Sequence, residues 1–394
     1  MTRRLVALLA VVVLVGGCGG APILANEPLA FPTPAPATAP PVRPADPISI
    51  AFPRDDGPHD RLTEWWYYTG HLRSADGRRF GFEAVIFRAE RGAVPAAWAS
   101  HLALTDESGQ RFLYAQRSEI GPQVDHSPRD AAGVPTGFDL QVNGLVAIGA
   151  SVDGAAGTPV APWRLSGGGG TDHIDASLAP SEATLAGGSF GLSLDLRSTK
   201  PAALHQANGF VDFGPAGSSY YYSRTRLAAT GQLELEGQQL EVDGIAWFDH
   251  QWGDFVSVGG GGWDWFAINL DDGTDITVSV VLDENGSPAF RYATLVTADG
   301  DVFNQESDSI EVAVIGGWKS PSTGRTYPSG WNLMVGGYEI RLVPTIPDQE
   351  LDTRATTGVI YWEGSQVVAA GKTGSPASAP IGGQAYVELT RYGE

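Results

Sequence analysis

The chain has a single cysteine, Cys18, in 394 residues. No internal disulfide can therefore form, and stability must come from burial. Basic residues are also scarce, 25 against 45 acidic, for a formal net charge of -20. Nucleic acid and anionic membrane surfaces would repel such a chain, so neither is expected as a partner. No apolar run reaches the roughly 20 residues a membrane-spanning helix needs. The nearest, Leu5 to Val15, follows Arg3 and Arg4 and leads into Gly16-Gly17-Cys18. That is the layout of an export signal ending in a lipobox, with Cys18 the residue that takes the lipid. The sequence thus predicts an exported protein held at the outer face of the cell membrane, or in the periplasm, by an N-terminal lipid anchor.

No stretch carries a convincing helical stripe. Strand-like alternation is common instead. RFGFEAVIF places Phe80, Phe82, Ala84 and Ile86 on one face, and DITVSVVL does the same with Ile276, Val278, Val280 and Leu282. Such strands end at Asp-Gly, Asn-Gly or glycine-rich turns, and 51 glycines and 27 prolines fit many short strands. The expected fold class is all-β. Residues 1–18 read as the signal and 19–48, rich in Pro and Ala, as an extended tether.

Several catalytic signatures fail on their context. Gly187-Gly188-Ser189-Phe190-Gly191 fits G-x-S-x-G, but a strand-like segment follows where a helix is required, so it reads as a turn. The runs Gly167–Gly170 and Gly259–Gly262 lack the Lys-Ser/Thr of a phosphate loop and read as mobile loops. No short ligand spacing such as H-E-x-x-H is present, and no metal or other cofactor is expected. His71, His101, His205 and His250 nevertheless lie in strand-like or aromatic surroundings from which they are able to converge.

Two stretches concentrate chemistry. Asp249-His250-Gln251-Trp252-Gly253-Asp254 packs two carboxylates, an imidazole, an amide and an indole into six residues, as a site or as a self-capping polar turn. EWWYYTGHL, from Glu64 to Leu72, places Glu64, Trp66, Tyr68 and Gly70 on one face and Trp65, Tyr67, Thr69 and His71 on the other. It is suited to line a ligand cavity or to form aromatic core with a salt-bridged Glu64. If Glu64 and His250 meet inside a barrel, Trp66 and Tyr68 would desolvate Glu64 and raise its pKa toward proton donation. His250 would be oriented by Asp249 or Asp254, and Trp252 and Trp263 would face the ligand. The alternative pairs Glu64 with Arg224 or Arg226.

EWWYYTGHL, HLALTD from His101, LHQANGF, YYYSRTRL, WFDHQWGDF, GWDWFAINLDDG and AYVELTRY run in order from Glu64 to Tyr392. Together they resemble the AttH/CrtC family of lipocalin-like proteins, which includes carotenoid 1,2-hydratase. The resemblance implies two consecutive lipocalin-like antiparallel β-barrel domains, placed here at 49–225 and 226–394, and an apolar, isoprenoid- or polyene-like ligand. The echo between WWYYTGHLRSADG and WDWFAINLDDG agrees with two related halves. In the hydratase branch an essential His and Trp occupy a motif that matches His250 and Trp252, and a Tyr-x-Asp pair downstream supplies the acid. Phe266 and Ile268 stand at that place here, which brings the chain closer to the AttH branch. The expected catalytic group is Glu64, Asp249, His250 and Asp254; the expected ligand contacts are Trp66, Tyr68, His101, Trp252, Trp263 and Trp265. Two functions follow: hydration, isomerisation or cyclisation of the ligand, or its carriage without chemistry. A buried carboxyl facing the cavity separates them, because a carrier needs none.

Overall fold

The computed structural model describes residues 45–92, 94–144, 160–213, 217–255, 262–374, 380–390 and 392. Cys18, the signal and most of the tether fall outside them. The end of the tether does not hang free: the hydroxyl of Tyr220 accepts from Ile48 N at 2.7 Å and donates to Asp46, which also pairs with Arg61.

The first half forms one antiparallel sheet from β1 (Thr63–Ser74), β2 (Arg79–Ala89), β3 (Ala97–Asp106), β4 (Arg111–Ile120), β5 (Phe138–Val142), β6 (Trp163–Gly168), β7 (Thr171–Ser177), β8 (Phe190–Ser198), β9 (Ala203–Leu204), β10 (Phe210–Asp212), β11 (Ser218–Leu235) and β12 (Gln238–Gly253). Its order is β4-β3-β2-β1-β12-β11-β8-β7-β6-β5, with β9 and β10 beside β11. The sheet curls into a near-closed barrel. Across the gap between the edge strands, Arg117 of β4 donates to the Val142 carbonyl of β5 and lies 4.3 Å over the Trp163 ring. The second half repeats the plan with β13 (Trp263–Leu270), β14 (Asp275–Leu282), β15 (Pro288–Val296), β16 (Val302–Gln305), β17 (Glu311–Val314), β18 (Gly317–Lys319), β19 (Thr326–Pro328), β20 (Trp331–Val335), β21 (Tyr338–Pro344), β22 (Glu350–Asp352), β23 (Ile360–Lys372) and β24 (Ile381–Thr390). In each half the first strand pairs with the last, β1 with β12 and β13 with β24. That equivalence underlies the sequence echo, since β1 and β13 hold the same place in their sheets.

The boundary expected at 225/226 falls inside β11. β11 and β12 form one long hairpin whose two-residue turn, Glu236-Gly237, has both φ angles positive (51° and 78°), as such turns require. A hairpin cannot be divided between two sheets without losing its ladder, so the sheet changes only after Gly253 and before Trp263. Gly167–Gly170 is not a loose loop but the tight β6–β7 turn, pinned where Gly169 N donates to Asp56 at 2.8 Å. The G-x-S-x-G stretch ends a short helix, α1 (Pro180–Ala186), with Gly187 at φ 77°, and leads into β8.

Each barrel has its own apolar core. Trp66, Tyr68, Phe80, Leu140, Leu194 and Phe248 meet in the first; Phe266, Ile276, Trp331, Leu342 and Trp362 meet in the second. The barrels then pack through their outer faces. β1–β3 and β11–β12 lie against β13–β15 and β23–β24, so β1, β14 and the C-terminal half of β12 are buried on both sides and show little polar alternation.

Candidate active site between the two barrels

Strand parity divides the expected site. The β1–β12 register sets Trp66 opposite His250 and Glu64 opposite Trp252 on the inner face, and Tyr67 opposite Asp249 and Trp65 opposite Gln251 on the outer. Residues that are neighbours in the sequence therefore serve two separate places.

Inside the first barrel, Glu64 and His250 do meet. His250 Nε2 lies 2.9 Å from Glu64 Oε1, and the His59 ring, stacked on Trp252 at 4.0 Å, brings Nδ1 to 2.7 Å from the same oxygen. Neither Arg224 nor Arg226 is the partner, because they pair with Asp56 and Asp275; the guanidinium near Glu64 is Arg88, at 3.9 Å. The expected rise in the Glu64 pKa does not occur. Burial opposes its ionisation, but the charge of His59 and the hydrogen bond from His250 outweigh burial and hold the carboxyl down at about 2. Glu64 is an anion and has no proton to donate. His59 is the reverse case: burial disfavours its charge, yet Glu64 and Asp55 raise its pKa, and Asp55 Oδ1 stands 3.3 Å from its Nε2. His250 is lowered by burial and is not oriented by Asp249 or Asp254; its other nitrogen lies 3.4 Å from the Tyr222 hydroxyl. The facing donors of His59, Glu64 and His250 lie within 4.8 Å of one another, close enough for a cation. The same contacts form a hydrogen-bonded chain from Asp55 through His59 to Glu64 and His250, with the His59 pKa raised by the two carboxylates and that of His250 lowered by burial. Trp66, Tyr68 and Trp252 surround this network as packed core. Asp254 sits at the end of β12, where Arg61 binds it at 2.7 Å.

The remaining expected residues, Asp249, His101, Trp263 and Trp265, meet on the other side of the sheet. Together with Trp65, Tyr67, Phe87, Tyr221, Tyr292 and Val281 they wall a cavity of about 120 Å³ between the barrels. Glu83, Glu388 and Asp249 supply its carboxyls. Asp249 receives the Tyr221 hydroxyl at 2.5 Å, Trp247 Nε1 at 2.7 Å and the Ser223 hydroxyl; Tyr221 in turn accepts from Trp265 Nε1 at 3.0 Å. Burial raises Asp249 to about 6 against those donors, so it remains mostly an anion at neutral pH. Glu388, with Trp263 Nε1 at 3.0 Å, is pushed by burial and the nearby Asp249 to about 7. Glu83 is pushed by burial and Glu388 to about 8. Behind the wall, Glu363 accepts the Tyr67 hydroxyl at 2.6 Å, and burial beside Glu83 and Glu388 pushes its pKa well above the ordinary carboxylate range. The cavity thus combines aromatic faces with three carboxyls whose pKa values burial spreads from about 6 to about 8.

The four histidines do not converge. His71 faces the Ala385 carbonyl, His205 lies between Ser223 and Thr294, His101 reaches Tyr361, and His250 is inside the barrel. Glu83, Glu388, Tyr361, Trp65 and Tyr67 were not among the expected site residues. For Glu83 and Glu388 the signal was a carboxyl within an apolar strand, in RFGFEAVIF and AYVELTRY; Trp65 and Tyr67 stand on the second face of EWWYYTGHL.

The AttH-like family profile matches residues 42–392. The chain belongs to the AttH-like family. The crystal structure of an AttH protein from Nitrosomonas europaea is 29% identical, covers 89% of this chain and 100% of its own, and superposes with a TM-score of 0.71. Kievitone hydratase from Nectria haematococca is 16% identical over 87% of this chain and 93% of its own, with a TM-score of 0.60. CghA is 14% identical over 84% and 90%, with a TM-score of 0.51. These last two share the lipocalin-like two-sheet fold. No curated protein sequence matches the chain.

Proposed function

We propose that this AttH-like protein is a hydratase or dehydratase that adds water to, or removes it from, a C=C bond of an apolar molecule held between the barrels. One observation carries the reading: three buried carboxyls, Glu83, Glu388 and Asp249, pushed up to about 8, 7 and 6, share one aromatic cavity, so that at neutral pH protonated and ionised carboxyls stand together there. Environments that push carboxyl pKa values apart produce an acid and a base in one site. A carrier has no use for buried acids, whose retention costs stability.

In the hydration direction a carboxylic acid of the wall transfers its proton to the alkene carbon. The cation so formed faces the rings of Trp65, Trp263 and Tyr221, which stabilise positive charge. Water adds to the cation and releases a proton to the Asp249 carboxylate. The proton then returns through solvent to the acid, and the net change is alkene plus water to alcohol. A cavity of about 120 Å³ compares with about 150 Å³ for one that holds a single benzene. The described walls therefore have room for one ring or one prenyl end of a ligand. The name of kievitone hydratase describes this class of reaction on its own substrate.

The test uses whatever apolar molecule co-purifies with the protein, identified by native mass spectrometry and incubated in ¹⁸O-water. Wild type is expected to exchange ¹⁸O into a ligand hydroxyl, and Glu388→Gln to lose at least about two orders of magnitude in rate, the scale of a missing general acid. A wild type that binds its ligand but incorporates no label is a carrier.

A further inference from the structure

Glu83 lies on the outer face of β2 and is fully buried. Its Oε2 has no hydrogen-bond partner among the described residues, although the residue lines the cavity. Its Oε1 is 2.9 Å from the hydroxyl of Tyr361. From there a chain of contacts leads away from the cavity: Tyr361 to His101 Nδ1 at 2.7 Å, His101 Nε2 to Thr356 Oγ1 at 3.1 Å, and Thr356 Oγ1 to Gln116 Oε1 at 2.7 Å.

Each hydroxyl in this chain has one proton to give, so its direction is settled from the far end. Gln116 Nε2 donates to the Asp352 carbonyl at 2.8 Å, which turns the amide oxygen toward Thr356. Two oxygens 2.7 Å apart need a proton between them, and only Thr356 has one. The competing acceptor, the Thr353 carbonyl, is farther at 3.2 Å. Thr356 must then accept from His101 Nε2–H. Burial keeps His101 neutral, down at about 3, so Nδ1 has a lone pair and takes the Tyr361 proton. Tyr361, its proton committed, can only accept from Glu83. Oε1 of Glu83 must therefore carry a hydrogen. Burial and the neighbouring Glu388 act in the same direction.

We propose that this one-way chain holds Glu83 as a neutral carboxylic acid whose bare oxygen, Oε2, accepts a hydrogen bond from the hydroxyl of an apolar alcohol in the cavity. The proton of Glu83 points away from the ligand, toward Tyr361, so Glu388 is the donor to carbon. Trp263 Nε1 donates to Glu388 Oε2, which leaves Oε1 to carry that proton. The hydroxyl assignment rests on the hydration reading above; the protonation of Glu83 does not. His101 and Tyr361 are positioning residues, acting through the direction of their hydrogen bonds.

Three readings test it. The infrared difference between wild type and Glu83→Gln at pH 7 is expected to show the carbonyl band of a protonated carboxyl; carboxylate bands in its place overturn the assignment. His101→Leu frees the Tyr361 proton to turn toward Glu83, so that carboxyl band should titrate at lower pH than in wild type. A shift to higher pH reverses the chain and overturns it. Binding of 3-methylbut-2-en-1-ol and of 2-methylbut-2-ene, followed by tryptophan fluorescence, tests the alcohol. The preference for the alcohol should fall on the order of tenfold in Glu83→Ala, the scale of one lost hydrogen bond, and persist in Glu83→Gln, whose amide keeps a carbonyl toward the cavity. An unchanged preference in Glu83→Ala sinks hydroxyl recognition even if the infrared band is present. Failure of ¹⁸O exchange with all three results positive removes the reaction and leaves the alcohol site.

Discussion

Burial alone does not decide whether a carboxyl in this protein is an acid or an ion. Glu64 and Glu83 are both fully buried on neighbouring strands, yet Glu64 is held at about 2 and Glu83 is raised to about 8. The difference lies in the partners. Glu64 faces two histidines able to donate, whereas Glu83 faces a single tyrosine hydroxyl and the neighbouring Glu388. Glu64 was visible in the sequence as the one carboxyl of an aromatic stretch, but His59, the residue that fixes its charge, lies in an irregular segment with no periodicity to place it. Removing the Glu64 charge leaves the half-buried His59 with Asp55 as its one carboxylate partner and leaves His250 without its own. Glu64→Gln should therefore cost about 3–5 kcal/mol of stability, the range for breaking a buried ion pair. Ligand affinity between the barrels should stay within about twofold of wild type, the scatter of a site with no shared contact. Urea unfolding and a binding titration on the same variant check both.

At the scale of the strand, β1 shows what was legible and what was not. Period two sorted EWWYYTGHL into its two faces correctly, and the alternations in RFGFEAVIF and DITVSVVL are the β2 and β14 of the structure. Which face meets ligand was not legible, because both are aromatic and both are covered. The inner one faces a closed core and the outer one a second barrel whose first strand begins about 200 residues later. DHQWGD is divided in the same way, with Asp249 turned to the cavity and His250 and Trp252 to the core. The consequence is a contrast between adjacent residues. Trp66→Ala should lose about 3–5 kcal/mol, as expected for emptying a core position, with ligand affinity retained in whatever remains folded. Trp65→Ala, half-buried at the cavity, should lose affinity with a much smaller drop in melting temperature. Equal behaviour of the two variants would contradict the parity argument.

Over the whole molecule the two kinds of buried carboxyl oppose each other in their pH dependence. Glu64 has a folded pKa below its ordinary 4.5, so its contribution is present above pH 4.5 and is lost as the pH falls toward about 2. Glu83, Glu388 and Asp249 have folded pKa values above their ordinary ones, at about 8, 7 and 6. The folded state binds more protons than the unfolded one, and stability falls as the pH rises through that window. His59, also raised, loses its contribution in the same direction. Net charge of -20 adds self-repulsion on the alkaline side. Thermal stability should thus peak at about pH 5 and decline toward pH 8. Glu83→Gln combined with Glu388→Gln should flatten the decline, which differential scanning calorimetry across that range would record. A flat profile in wild type would mean that the cavity acids ionise freely.

The central claim is that ligand chemistry takes place between the barrels and not within the first one. A crystal structure of the protein with its co-purified apolar ligand tests this most directly. The account predicts the ligand against Trp65, Trp263 and Trp265, with its reacting carbon beside Glu388 and its hydroxyl on Oε2 of Glu83. Ligand inside the first barrel, against Trp66, Trp252 and His250, would contradict it.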